Sequence, residues 1–187
     1  MIEITIIAAV KGNDGIYIGA DTLTTTYFTN YYDTKLMTFG NNAVMAFSGQ
    51  NRYSDLLVQM LEEVEGNIRD RRDMIELAQW IKEQMCELSG VGRASENSLP
   101  EHEFSCIIAT PKHIYMIEPD YSVYQEQKRQ YLCGGIGLEY ANGVFFAMKK
   151  NIKEFPKEVL HTALQAACYF SPWCSTPLTI LKVEERK

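Results

Sequence analysis

No stretch of the 187 residues is apolar for long enough to cross a bilayer, which takes about 20 consecutive residues. The early N-terminus carries Glu3 and no basic residue, unlike a secretory signal peptide. The five cysteines (Cys86, Cys106, Cys133, Cys168 and Cys174) are odd in number, and no pair is spaced CxxC. That argues against a zinc site and against a secreted disulfide framework. Histidine is scarce: His102 and His113 have no acid or Cys at metal spacing, and His161 lies seven residues from Cys168. Two helical turns separate that last pair by about 10 Å, too far for a Cys–His dyad. Basic charge is in deficit, 18 Lys and Arg against 24 Asp and Glu for a net of −6. A phosphate backbone needs compensating cations, so nucleic acid is not the expected partner. The one dense basic cluster, RDRRD at 69–73, is interrupted by acids and reads as a solvated helix end or loop. These absences point to a cytoplasmic, reducing location with no membrane, nucleic acid, metal or cofactor.

What is present is a core. Apolar residues make up 46% of the chain, enough for one domain over residues 1–187. Residues 4–10 are β-branched or small and suit a buried strand. Lys11-Gly12-Asn13-Asp14-Gly15 is a hairpin signal, because Asn, Asp and Gly tolerate positive φ. Residues 16–20 make the return strand, and Asp21 falls at its end. Thr5 stands in the partner strand and Lys35 a little further on, so a hydroxyl, a carboxylate and an amine can meet at one sheet edge. Strands are expected over 31–39 and 42–48. The period then becomes helical through Leu56, Leu57, Met60, Leu61 and Val64, and again through Ile75, Leu77, Ala78, Ile81, Met85 and Leu88. A polar loop covers 90–100. Strands return over 104–110, 113–117, 123–125 and 130–133. Helices are predicted over about 138–149 and 157–169, and a last strand over 178–183. Strands and helices segregate in runs, which excludes a βαβ repeat. Two antiparallel sheets with a helix pair on each outer face would bury every stripe, giving an α+β, four-layer αββα sandwich.

TIIAAVKGNDGIYIGAD at 5–21, DTKL at 33–36, AFSG at 46–49, IIATPKHIYMIEPD at 107–120 and YLCGGIGLEYANGV at 131–144 together resemble the proteasome β-subunits and the peptidase subunit of the bacterial ATP-dependent two-component protease. Both are N-terminal nucleophile hydrolases. The resemblance covers nearly the whole chain in the same order of elements. It implies that Thr5 is the nucleophile, Asp21 the structural acid, Lys35 the active-site lysine and Gly49 the oxyanion donor. Thr25 would pair its backbone with substrate, and Met37 and Phe47 would line an apolar side-chain pocket.

The chemistry implied is that of an N-terminal threonine endopeptidase acting on peptides or unfolded protein. A Thr hydroxyl needs a base, which in this class is the residue's own α-amine, with a pKa of roughly 7.7–8. Lys35 nearby would lower that pKa, and Asp21 would hold Lys35. Residues 1–4 would have to leave as a short propeptide, because an amide nitrogen is no base. Self-association into rings is implied, through helices like those predicted here, with an ATPase unfoldase as a candidate partner.

The chain also departs from the family pattern. β-Branched Ile4 precedes Thr5 where Gly is frequent, and Ile6 follows where Thr or Ser is frequent. Gly134 stands at the position of a family Ser, and CYFSPWCSTP at 168–177 contains no Asp-x-x-Ser-Gly segment. The alternative is therefore a noncatalytic ring-forming or scaffold homologue that is never processed. CGGIG at 133–137 could cradle a phosphate through exposed amides, but a P-loop Lys is missing and a tight strand-to-helix turn explains it equally.

Overall fold

A computed structural model describes residues 5–25, 30–89 and 104–184. Residues 1–4, the polar loop at 90–100 and His102 lie outside them.

Strands β1 (Ile7–Lys11) and β2 (Ile16–Asp21) form the opening hairpin, with Ile7 opposite Ala20 and Lys11 opposite Ile16. The turn closes where Gly12 N donates to Gly15 O at 2.9 Å. Short strands β3 (Leu23–Thr25) and β4 (Asn30–Tyr32) pair with each other. Strands β5 (Leu36–Phe39) and β6 (Ala43–Gly49) follow, then helices α1 (Asn51–Leu61) and α2 (Arg71–Ser89). Strands β7 (Phe104–Ala109), β8 (Ile114–Ile117), β9 (Val123–Gln125) and β10 (Tyr131–Gly134) come next. Helices α3 (Leu138–Ala147) and α4 (Pro156–Phe170) precede the last strand, β11 (Leu178–Val183). One sheet runs β10-β1-β2-β11 and the other β5-β6-β7-β8-β9, both antiparallel.

The period of two along each strand sorts side chains into layers. Ile7 and Ala9 meet Val44, Ala46, Ile107 and Ala109 between the sheets. Ile6, Ala8 and Val10 instead pack on Phe145, Leu160, Ala163 and Leu164 of α3 and α4. Met45 and Phe47 face Leu57, Leu61, Met74 and Ile81 of α1 and α2. β1 and β6 are thus covered on both sides, which is why they read as unbroken apolar runs. Each fully buried Ile or Leu contributes about 1.5–3 kcal/mol. The architecture is the α+β, four-layer αββα sandwich expected from the sequence.

The element boundaries near the site have physical reasons. The strand predicted over 31–39 is two strands. The chain leaves β3–β4, where Asp33 N bonds Thr22 O at 2.9 Å, and enters the second sheet at Leu36. A change of partner leaves alternation intact, so periodicity cannot reveal it. β1 begins at Ile7, not residue 4, because the backbone of Thr5 and Ile6 is bonded elsewhere, as the site geometry shows. Helix α2 begins at Arg71, ahead of its first apolar-stripe residue Ile75, because Asp70 caps it: Oδ1 accepts from Arg72 N at 2.8 Å and Asp73 N at 3.2 Å. RDRRD is accordingly a solvated helix start, with Arg69 paired to Asp73. Among the described residues, no helix is long and apolar enough to cross a membrane.

Candidate active site

The first sheet delivers Asp21 and the second delivers Lys35. Asp21 ends β2, fully buried. Lys35 lies in the three-residue crossing between β4 and β5. Its carbonyl accepts from Phe47 N at 3.1 Å, which anchors the crossing to β6. Thr5 lies just ahead of β1 and is 1% exposed. Its hydroxyl donates to Asp21 Oδ1 at 2.5 Å and accepts from Lys35 Nζ. Lys35 Nζ also pairs with Asp21 Oδ1 at 2.8 Å. Three residues spread over 31 positions of sequence thus share one hydroxyl, one carboxylate and one amine.

The carboxylate is held from all sides. Ile6 N donates to Oδ1 at 3.0 Å, while Leu23 N and Ser175 N donate to Oδ2 at 3.3 and 3.2 Å. Three backbone amides, a hydroxyl and an ammonium satisfy an acid that would otherwise be costly to bury. Ser175 arrives because β11 pairs with β2 from Leu178 opposite Asp21, and because Thr22 Oγ1 ties Pro177 O at 2.8 Å.

Burial pushes the Lys35 pKa below the usual lysine value, and the Asp21 carboxylate partly restores it. A lysine with a lowered pKa, in contact with a hydroxyl, can accept that hydroxyl's proton. Two thiols share the neighbourhood. Burial first and Asp21 second push Cys168 up to about 12 and Cys174 up to about 11. At neutral pH both are protonated and poor nucleophiles.

The other candidates are placed by the strands that carry them. Gly49 ends β6 with φ at 145°, opposite Phe104 in the ladder. Thr25 ends β3, half-buried, opposite Asn30. Met37 is half-buried against the core under α1 and α2. Phe47 lies inside that core, 6% exposed and stacked on Phe104 at 6.0 Å. Hydrogen bonds bring Thr5, Asp21 and Lys35 together, whereas Met37 and Phe47 pack on the helix-facing side of the second sheet.

Two contributions escaped the sequence reading. Ser175 acts through its backbone, so its residue type carries no signal. Gly135 and Gly137 lie against the Thr5 carbonyl, which accepts from Gly137 N at 3.2 Å. Their signal was visible as the glycine-rich turn, but not its target. Among the described residues, no group of three or more His, Cys, Asp or Glu is placed to hold a metal ion.

No protein-family model and no curated protein matches this chain. Solved structures do. Thiobacillus denitrificans BPH in complex with epoxomicin superposes with a TM-score of 0.82 at 18% identity, over 98% of this chain and 100% of that one. Eukaryotic HslV from Trypanosoma brucei gives 0.68 at 17% identity, over 97% of this chain and 100% of that one. The helical assembly of the Anbu complex from Pseudomonas aeruginosa gives 0.73 at 18% identity, over 97% of this chain and 81% of that one. At these identities the likeness is one of fold, that of the proteasome-β and HslV-like N-terminal nucleophile hydrolases.

Proposed function

We propose that this chain is a threonine-type endopeptidase whose nucleophile is Thr5, exposed as an N-terminus after loss of residues 1–4. The observation that carries this reading is the Thr5 hydroxyl held between Asp21 and Lys35 in a buried, fully hydrogen-bonded setting. The Thr5 oxygen attacks the scissile carbonyl carbon, and its proton passes to the freed α-amine, with Lys35 holding that amine's pKa down. The Gly49 amide stabilises the oxyanion. The C–N bond breaks, the leaving amine takes the proton, and water then hydrolyses the ester. Thr25 aligns substrate through its backbone.

Before processing, Thr5 has an amide nitrogen, and Lys35 is the basic group in contact with its hydroxyl. Attack on the Ile4 carbonyl, an acyl shift to the oxygen and hydrolysis would release residues 1–4. The substrates are peptides or unfolded protein, with an ATPase unfoldase as a candidate partner. Rings are the expected assembly; in their support, α3 and α4 carry exposed Tyr140, Phe146, Tyr169 and Phe170 on the molecular surface. Proteins of this fold include an Anbu complex found as a helical assembly.

Intact mass is the test. The expected result is a chain lacking its first four residues, and Thr5→Ala retains them. A full-length chain that neither cuts peptides nor reacts with epoxomicin would refute the peptidase.

A second reading, a noncatalytic ring-forming scaffold, is favoured by Ile4, which crowds the self-cleavage transition state, and by Gly134, which carries no hydroxyl. It predicts the uncut chain in a stable oligomer.

A further inference from the structure

We propose that Gly135 and Gly137 are positioning residues that clamp the Thr5 carbonyl and thereby set where its hydroxyl stands. This rests on the reading of Thr5 as nucleophile. The evidence is steric and specific. Gly135 has φ at 84°, and a Cβ there would lie 2.5 Å from Thr5 O, 3.0 Å from Thr5 C and 3.0 Å from its Cγ2. Two of those atoms belong to backbone, which cannot swing aside as a long side chain can. Gly137 supplies the other jaw: its N–H donates to the same oxygen at 3.2 Å. A Cβ on Gly137 would meet Ala167 Cβ at 2.8 Å, Ile6 Cβ at 3.0 Å and Cys174 Sγ at 3.1 Å.

The clamp is anchored at both ends. Gly134 pairs with Ile7 in the ladder, and Leu138 opens α3 directly after Gly137. Thr5 itself lies outside any strand, ahead of β1. Its position therefore depends on the Gly137 bond, on Ile6 N at Asp21, and on the room that Gly135 leaves. A methyl group at 135 pushes the Thr5 backbone away and carries the hydroxyl off Lys35 and Asp21. Misplacing a nucleophile by about 1 Å costs on the order of 100-fold in rate.

Three variants separate the contact from backbone strain. Gly135→Ala introduces both. Gly135→Asn keeps the Cβ, but Asn tolerates positive φ, so most of the strain is relieved. Gly66→Ala introduces strain alone: Gly66 has φ at 88° and nothing within 4 Å of its would-be Cβ. The readouts are the maximal rate and half-saturating concentration of epoxomicin acylation at Thr5, and crystal structures of the variants. Both Gly135 variants should lose about 100-fold in maximal rate with little change in half-saturation. Their Thr5 should be displaced and its Lys35 contact opened, while Gly66→Ala matches the parent. Restored acylation in Gly135→Asn, or Thr5 unmoved in its crystal structure, overturns the clamp. If the parent chain is never acylated, the nucleophile reading fails, and Thr5 displaced or unmoved in the Gly135→Asn structure still decides the clamp.

Discussion

Two buried carboxylates invite comparison. Asp21 and Glu126 are 0% and 8% exposed, and each lies near a lysine. Glu126 takes Ile114 N at 2.7 Å on Oε2, while Lys11 and His113 approach its other oxygen only to 3.6 and 3.5 Å. Both of those groups are more than a third exposed at the side chain, 37% and 34%. Asp21 differs in two ways: its lysine is 12% exposed and bonded at 2.8 Å, and a hydroxyl sits between the two charges. A buried acid with a lysine is therefore an ordinary structural device. Desolvation of the lysine together with an interposed hydroxyl turns it into a candidate reaction centre.

Thr5→Ala should break the comparison most completely. It removes the hydroxyl and keeps the charge pair, so peptide cleavage should fall by on the order of 10⁴-fold or more, measured at saturating substrate. Asp21→Asn leaves Lys35 buried without its counter-charge and should cost about 3–5 kcal/mol by denaturant unfolding. Glu126→Gln keeps an acceptor for Ile114 N and should cost about 1 kcal/mol, with cleavage unchanged. If the two substitutions destabilise equally, the distinction drawn between the acids is wrong.

How far this distinction was legible in the sequence depends on the residue. The hairpin, its Asn-Asp-Gly turn and the acid at its end are local features, so Asp21 could be placed beside the start of β1 from pattern alone. Lys35 was harder. Its strand was expected to be continuous, and only the structure shows that the chain changes sheets at 33–35, which turns Lys35 toward Thr5. Met37 and Phe47 stand in alternation with buried neighbours, and alternation cannot tell a pocket wall from the core beneath a helix pair. The Ser175 amide was invisible because any residue supplies one.

Smaller effects sharpen the same contrast. Because burial lowers the Lys35 pKa, its neutral form is populated at lower pH than an ordinary lysine's. Release of residues 1–4, where Lys35 is the basic group at the Thr5 hydroxyl, should speed up with pH along a limb whose midpoint lies below 10.5, and Lys35→Arg, which cannot deprotonate, should abolish the limb. Asp21 raises the Lys35 pKa, so any residual processing of Asp21→Asn should show that limb at still lower pH. Smallest of all, Lys11→Met should cost less than about 1 kcal/mol in thermal unfolding, since that pair is solvent-screened.

The central claim is that the Thr5 hydroxyl is the activated nucleophile. Peptide mapping by mass spectrometry after treatment with epoxomicin tests it most directly. The account predicts a single adduct on a peptide beginning at Thr5, absent in Thr5→Ala and Lys35→Ala. An adduct on a cysteine, or an unlabelled peptide still carrying residues 1–4, would contradict it.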